Sequence, residues 1–125
     1  MADEIFGKIF SKEEADKNFG PVLSYVNISA SELRALISQS NKLVMFNVAG
    51  GKLSILKEGR AVLYPAGFSP KSGEKYATYS KSKVDELLSA GKSDTIAVEQ
   101  RKEVISVTNG QYTLEISTWC PPVCT

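Results

Sequence analysis

The sequence predicts an α+β domain, a duplicated βαβββ unit folded into two antiparallel sheets with two principal helices. Three observations carry that prediction. Two serine-led stretches, opening at Ser29 and Ser80, space their apolar residues at helical intervals. Turns at Gly50-Gly51, Glu58-Gly59 and Asn109-Gly110 separate short alternating runs, as antiparallel hairpins require. The two halves also match each other. An offset of 51 aligns Tyr25 with Tyr76, Ser29 with Ser80, Ser31 with Ser82 and Leu36 with Leu87. An offset of 52 then aligns Val44 with Ile96, Phe46 with Val98, Leu53 with Ile105, Ile55 with Val107, Val62 with Leu114 and Tyr64 with Ile116. The one-residue step falls in the helix-to-strand connection, where an insertion is cheap.

Taken in order, residues 1–20 form an N-terminal arm, in which Ser11 caps a short polar helix through Asn18 and Phe19-Gly20-Pro21 breaks it. Pro21 to Ile28 reads as a strand. Ser29-Ala30-Ser31-Glu32 reads as a capping box, with Leu33, Leu36 and Ile37 striping a helix from about Ser29 to Ser40. A three-strand meander follows, placing Val44, Phe46, Val48, Leu53, Ile55, Val62 and Tyr64 on one core face. After a polar loop at 65–75, Tyr76 to Tyr79 is a short strand. Ser80 or Ser82 then caps a helix bearing Val84, Leu87 and Leu88, which Gly91 ends. A second meander, about Thr95–Gln100, Val104–Thr108 and Gln111–Thr118, turns Ile96, Val98, Ile105, Val107, Tyr112, Leu114 and Ile116 to the core. Thr95, Glu99, Ser106, Thr113 and Glu115 face the other way and are expected to be solvated. The repeats span about 21–65 and 75–119 of a single domain at 21–119, and 120–125 is a C-terminal tail.

A chain of 125 residues is long enough for one real core, and 42% hydrophobic with 23% charged residues is ordinary for a globular protein. The net charge of +1 supplies no global field for nucleic acid or anionic membrane. The first residues lack the basic and apolar regions of a signal peptide, and no run approaches a membrane span, so a cytoplasmic protein is expected. There is no histidine, which removes Ser-His-Asp and Cys-His catalysis and the common general base. The expectation is a protein that is not an enzyme and has no cofactor.

Several residue groups invite a functional reading. Lys71, Lys75, Lys81 and Lys83 interleave with Tyr76 and Tyr79, so Lys71, Lys75, Tyr76 and Tyr79 are candidates for an anion-binding loop. The competing reading is a solvated loop feeding a strand, with one tyrosine in the core. Met45, Leu56 and Leu63 alternate with core residues and point outward, and Trp119 also falls on an outer face. With Phe6 and Phe10 they define either an interface between molecules or a surface covered by the chain's own arm. An arm exchanged with a second copy satisfies both. Both cysteines, Cys120 and Cys124, sit in the tail. Extended Pro-Pro geometry holds them too far apart for an easy disulfide, and two thiolates are half of a structural zinc site, so a metal is expected only if shared between chains.

The stretches "VNISASELRALI", "GGKLSIL" and "YATYSKSKVDELLSAGKSDTIAVEQRKEVISVTNGQYTLEIST" resemble one domain of a DNA sliding clamp of the bacterial type, over roughly residues 20–119. The resemblance rests on packing and turn residues, so it speaks for fold more than for function. It implies a homo-oligomer, with DNA or replication proteins as partners, and cations on the helices facing DNA. Here those are Arg34, Lys42, Lys81, Lys83 and Lys92. Few such cations are present, and acidic residues balance them. The rival expectation is therefore a stand-alone ligand- or protein-binding module that reuses the fold without DNA.

Overall fold

A computed structural model describes residues 6–49, 51–65, 67, 75–91, 93–102, 104–115 and 117–120. The strands are β1 Lys8–Ser11, β2 Ser24–Ser29, β3 Leu43–Ala49, β4 Lys52–Lys57, β5 Ala61–Tyr64, β6 Tyr76–Ser80, β7 Thr95–Gln100, β8 Ile105–Asn109, β9 Tyr112–Glu115 and β10 Thr118–Cys120. The helices are α1 Lys12–Phe19, α2 Ala30–Ile37 and α3 Lys81–Gly91, and a 3-10 turn spans Glu58–Arg60. Two five-stranded antiparallel sheets result: sheet A in the order β1-β9-β8-β7-β2, and sheet B in the order β10-β6-β3-β4-β5. Each half exchanges its first strand, since β2 pairs with the later meander and β6 with the earlier one.

One core lies between the sheets and against both principal helices. Leu33 and Ile37 of α2 meet Val84, Leu87 and Leu88 of α3, with Val44, Phe46, Ile55, Ile96, Val98, Val107 and Leu114 from the strands. At about 25 cal/mol per Å² of apolar surface, this burial is the main stabilising term. Tyr79 is enclosed in it, and its hydroxyl donates to the carbonyls of Ile105 at 2.5 Å and Leu114 at 3.2 Å. Burial, reinforced by the nearby Glu115 carboxylate, holds the Tyr79 phenol well above its ordinary range.

Local chemistry explains the element ends. The Ser29 hydroxyl accepts from Glu32 N–H at 3.1 Å, but Glu32 returns no hydrogen bond to Ser29 among the described residues, so only half of the expected capping box exists. The full box is on α1, where Ser11 Oγ accepts from Glu14 N–H and Glu14 Oε1 accepts from Ser11 N–H. Helix α2 stops at Ile37, short of Ser40, as Ser38 Oγ donates to the Ala35 carbonyl and Ser40 N–H to that of Ile37. Glu58 Oε1 then accepts from the backbone N–H groups of Asn41, Lys42 and Leu43 at 3.0, 2.6 and 3.1 Å, fixing the entry to β3. Burial pushes the Glu58 carboxyl up, but these bonds outweigh it and hold the group below its ordinary value. At the far end of α3, Asn109 Nδ2 donates to the carbonyls of Leu87 and Leu88, and Ser93 N–H donates to Asn109 Oδ1. The hairpin residue Asn109 therefore also caps a helix.

Four local expectations are corrected. The Ser80 hydroxyl, one of the two expected caps of α3, accepts from Phe6 N–H at 2.8 Å, and no α3 N–H donates to it among the described residues. Val62 is not on the main core face. A bulge at Leu63 sets Val62 opposite Leu56 and Tyr64 opposite Ile55, so Val62 joins the outer side of sheet B, whereas Leu63 packs on the main core. The last strand does not run unbroken from Gln111 to Thr118: β9 ends at Glu115, and β10 crosses to sheet B beside β6. The arm is not only a polar helix, since β1 adds an edge strand to sheet A.

Candidate interaction surface on sheet A

The outward face of sheet A is where structure and expectation part most. Ser106, Thr113 and Glu115 are fully buried, and Glu99 and Thr108 nearly so; only Thr95 is exposed as expected. The cover is α1, which the full capping box starts at Ser11 and Gly20 ends at φ +89°. Its Ala15 is buried on the sheet, and Phe19 meets Phe10 of β1 edge-on at 5.5 Å between ring centroids.

Arg101, just past β7, is wholly enclosed beneath this helix. Its Nε donates to Ser106 Oγ at 2.9 Å and lies 3.2 Å from Glu115 Oε2. Nη1 donates to Asp16 Oδ1 at 2.9 Å and to the Gly20 carbonyl, which ties the middle and the C-terminal end of α1 to the sheet. Nη2 reaches Glu99 Oε1 at 3.3 Å. Thr108 Oγ1 donates to the same Glu99 oxygen at 2.6 Å, Ser106 Oγ donates to Glu115 Oε2 at 2.6 Å, and Lys12 Nζ meets Glu99 Oε2 at 3.3 Å. The guanidinium's planar fork is suited to so many acceptors at once.

The cluster holds two cations, Lys12 and Arg101, against three carboxylates, those of Asp16, Glu99 and Glu115. Glu115 Oε1 is buried with no hydrogen-bond partner among the described residues. Burial pushes the Glu115 carboxyl up to about 7; Ser106 and Arg101 work against the rise, and the Glu99 and Asp16 charges add to it. In the unfolded chain the group titrates near its ordinary 4.5. The folded state binds the proton more tightly, so this contribution to stability is complete below about 4.5 and is lost as the pH rises through about 7. The thermal midpoint should therefore climb as the buffer is taken from about pH 8 to about pH 6. Glu115→Gln should flatten that slope, as followed by circular dichroism. Glu58 has the opposite sign, losing its stabilising effect as pH falls below its ordinary 4.5, outside this window.

Helix α1 leaves the β2–β7 side of the face open. A cleft of about 430 Å³ lies there, lined by Lys12, Val22, Leu23, Ser24, Tyr25 and Glu99. Leu23 and Tyr25 are 64% and 59% exposed, the most exposed large apolar side chains among the described residues. Strand parity places Tyr25 beside Glu99, but the cleft itself depends on how α1 returns over the sheet. No sequence pattern marks this face as covered: its two glutamates, serine and threonines read as solvated, and its cover and its cation come from α1 and from the β7–β8 connection.

The sequence-derived candidates are scattered. Arg34 is exposed on α2 beside a hollow of about 450 Å³ whose lining also includes Ser31, Leu88, Ser89 and the acidic Asp94. Lys42 is exposed. Lys81 Nζ donates to the Ser40 carbonyl at 3.0 Å, and Lys83 Nζ meets Glu86 Oε1 at 3.4 Å. The anion-loop set is divided: Lys75 is exposed, whereas Tyr76 and Tyr79 are fully buried and offer no stacking face. Met45 and Leu56 are buried too. With Leu43 and Tyr76 they form a second cluster against which Phe6 and Val62 pack, so the arm covers them and they are not an open interface. Phe10 lies on sheet A with Phe19, away from Met45. Trp119 and Cys120 belong to β10 by backbone pairing with Ala77 and Tyr76. Lys71, Lys92 and Cys124 lie outside the described residues. Among the described residues no group of three His, Cys, Asp or Glu is placed to hold a metal ion, and no helix is long and apolar enough to cross a membrane.

No family model, curated protein or solved structure matches this chain.

Proposed function

We propose that this chain is a non-enzymatic interaction module of clamp-like, internally duplicated architecture, and that its working surface is the open side of sheet A. The exchange of first strands between the two halves supports the duplication. The observation that carries the functional reading is the pair Leu23 and Tyr25, exposed beside a cleft on a sheet face otherwise covered by α1. Uncovered apolar residues around a concavity suit a protein partner.

The rival reading is a DNA-contacting accessory to replication or repair, and one observation favours it: α2 and α3 pack side by side, with Arg34 exposed between them. Against it stands the local charge, because Lys81 and Lys83 are engaged within the chain and the hollow beside Arg34 also carries Asp94. Two or three phosphate contacts per molecule give weak, salt-sensitive binding. Titration of a labelled duplex at low salt decides the matter. We expect no saturable binding; binding that fades with salt and drops in Arg34→Glu would replace the module reading with the DNA reading.

A further inference from the structure

Four strands edge the two sheets: β1 and β2 in sheet A, β10 and β5 in sheet B. Open edges invite pairing with other chains, and proteins blunt them with charge, bulges or brevity. Three of the four are blunted in this way. Strand β1 is four residues long and carries Lys8, β5 is four residues with the Leu63 bulge, and β10 is three residues. Within Ser24–Ser29 strand β2 has none of these devices; a one-residue irregularity lies just before it, where Leu23 N–H also donates to the Gln100 carbonyl at 2.8 Å. Its six residues, Ser-Tyr-Val-Asn-Ile-Ser, include no charge and no proline, and they pair with β7 in unbroken register.

The backbone of β2 is also set for pairing. Ala30 N–H donates to the Asp94 carbonyl at 2.8 Å, in register with the ladder. The even-numbered residues of β2 therefore bond to β7, and Tyr25 and Asn27 direct their N–H and C=O groups to the open edge. Among the described residues nothing pairs with that edge.

We propose that β2 pairs antiparallel with β2 of a second copy of this chain, joining two A sheets across a two-fold axis. This names the partner of the surface described above and rests on the interaction-module reading. A two-fold arrangement sets Tyr25 of one copy opposite Asn27 of the other, each donating to the other's carbonyl, and repeats the same contact on the far side of the axis. The occupant is a second copy because nothing on the edge repels itself. The strand is uncharged, the chain carries a net charge of only +1, and Tyr25 and Leu23 of each copy gain cover from the other. A charged peptide would find no complementary charge along β2.

Light scattering and sedimentation of the full chain over a range of concentrations test the proposal. The expected mass at high concentration is twice the 13.6 kDa chain. Tyr25→Lys places a charge at an exposed edge site and should return the protein to monomer with its folded circular-dichroism spectrum retained and its thermal midpoint no longer dependent on concentration. Asn27→Pro removes an outward-facing N–H and should do the same; if it fails to fold, Tyr25→Lys still carries the test. A wild-type monomer at every concentration overturns the proposal, as does a dimer that survives Tyr25→Lys, or a mass other than twofold. These results are separable from the function reading. A wild-type monomer that ignores DNA ends the self-pairing alone, whereas salt-sensitive duplex binding ends the module reading.

Discussion

Arg101→Met is expected to destabilise the protein by about 3–5 kcal/mol near neutral pH, the cost typical of removing one partner from a buried ion network. The substitution keeps the volume of the side-chain stem and removes the guanidinium. That leaves the Glu99 carboxylate, and Glu115 when ionised, beneath α1 with Lys12 as the remaining cation of the cluster among the described residues, and strips the half-exposed Asp16 of its partner. It also frees the Gly20 carbonyl, so α1 loses its tie to sheet A at both Asp16 and the helix end. Urea unfolding at about pH 7.5 measures the loss. The same measurement at about pH 5.5 should give a smaller one, because Glu115 then carries its proton. Adding Glu99→Gln and Glu115→Gln to Arg101→Met should recover part of the stability, since a network removed whole costs less than one left half-paired. A loss below about 1 kcal/mol for the single variant would mean that Arg101 is solvated and α1 does not seal the face.

The second large effect is expected at Gly91. Alanine is the better helix former by about 1 kcal/mol, so propensity alone favours Gly91→Ala at the end of α3. Packing points the other way. A β-carbon at this position would fall well inside van der Waals contact of the Asn109 backbone carbonyl and of its side-chain amide carbon. Asn109 cannot swing aside cheaply. It is fully buried, its amide holds the Leu87 and Leu88 carbonyls and Ser93 N–H, and Gly110 follows it at φ +61° in the hairpin. The net result should be destabilisation of about 3 kcal/mol, the upper part of the usual overpacking range. Thermal unfolding followed by circular dichroism reads it, and amide exchange at Ser93 should accelerate in step. A rise in the midpoint would show that the α3 end and the β8–β9 hairpin are not locked together.

These two sites differ in how visible they are from sequence. The hairpin at Asn109-Gly110 follows from residue type, because the positive φ of Gly110 is a local demand, and a glycine is a natural place for α3 to stop. That the two touch is not local, and it turns each from a tolerant turn residue into a constrained one. For sheet A, strand parity assigns the face of Glu99, Ser106, Thr113 and Glu115 correctly. Parity says which way a side chain points and nothing about what lies beyond it. Arg101, in the short connection from β7 to β8, carried no periodic signal at all.

The outer apolar residues of sheet B show the same division. Alternation identifies Met45 and Leu56 as outward-facing, and the arm's aromatics are an available cover. In the structure Phe6 takes that place, held by its N–H to Ser80 Oγ, and Phe10 goes to the other sheet. Val62 and Leu63 exchange faces because one bulged residue reverses the alternation beyond it, and a bulge is set by how the 3-10 turn with Arg60 at φ +62° feeds β5.

The sequence by itself determined what depends on neighbours along the chain: the α+β class, the serine cap of α2, the Asn109-Gly110 turn, and most of the apolar face that builds the core. Such features follow from backbone sterics and from periods of two and 3.6 residues, which are readable in any short window. Only the tertiary structure decided which sheet each first strand enters, that α1 turns a polar face into a buried ionic network, and that β2 is left as the long, unguarded edge. Those outcomes depend on the balance between burying apolar surface and desolvating charge when segments some 85 residues apart, such as Asp16 and Arg101, come together.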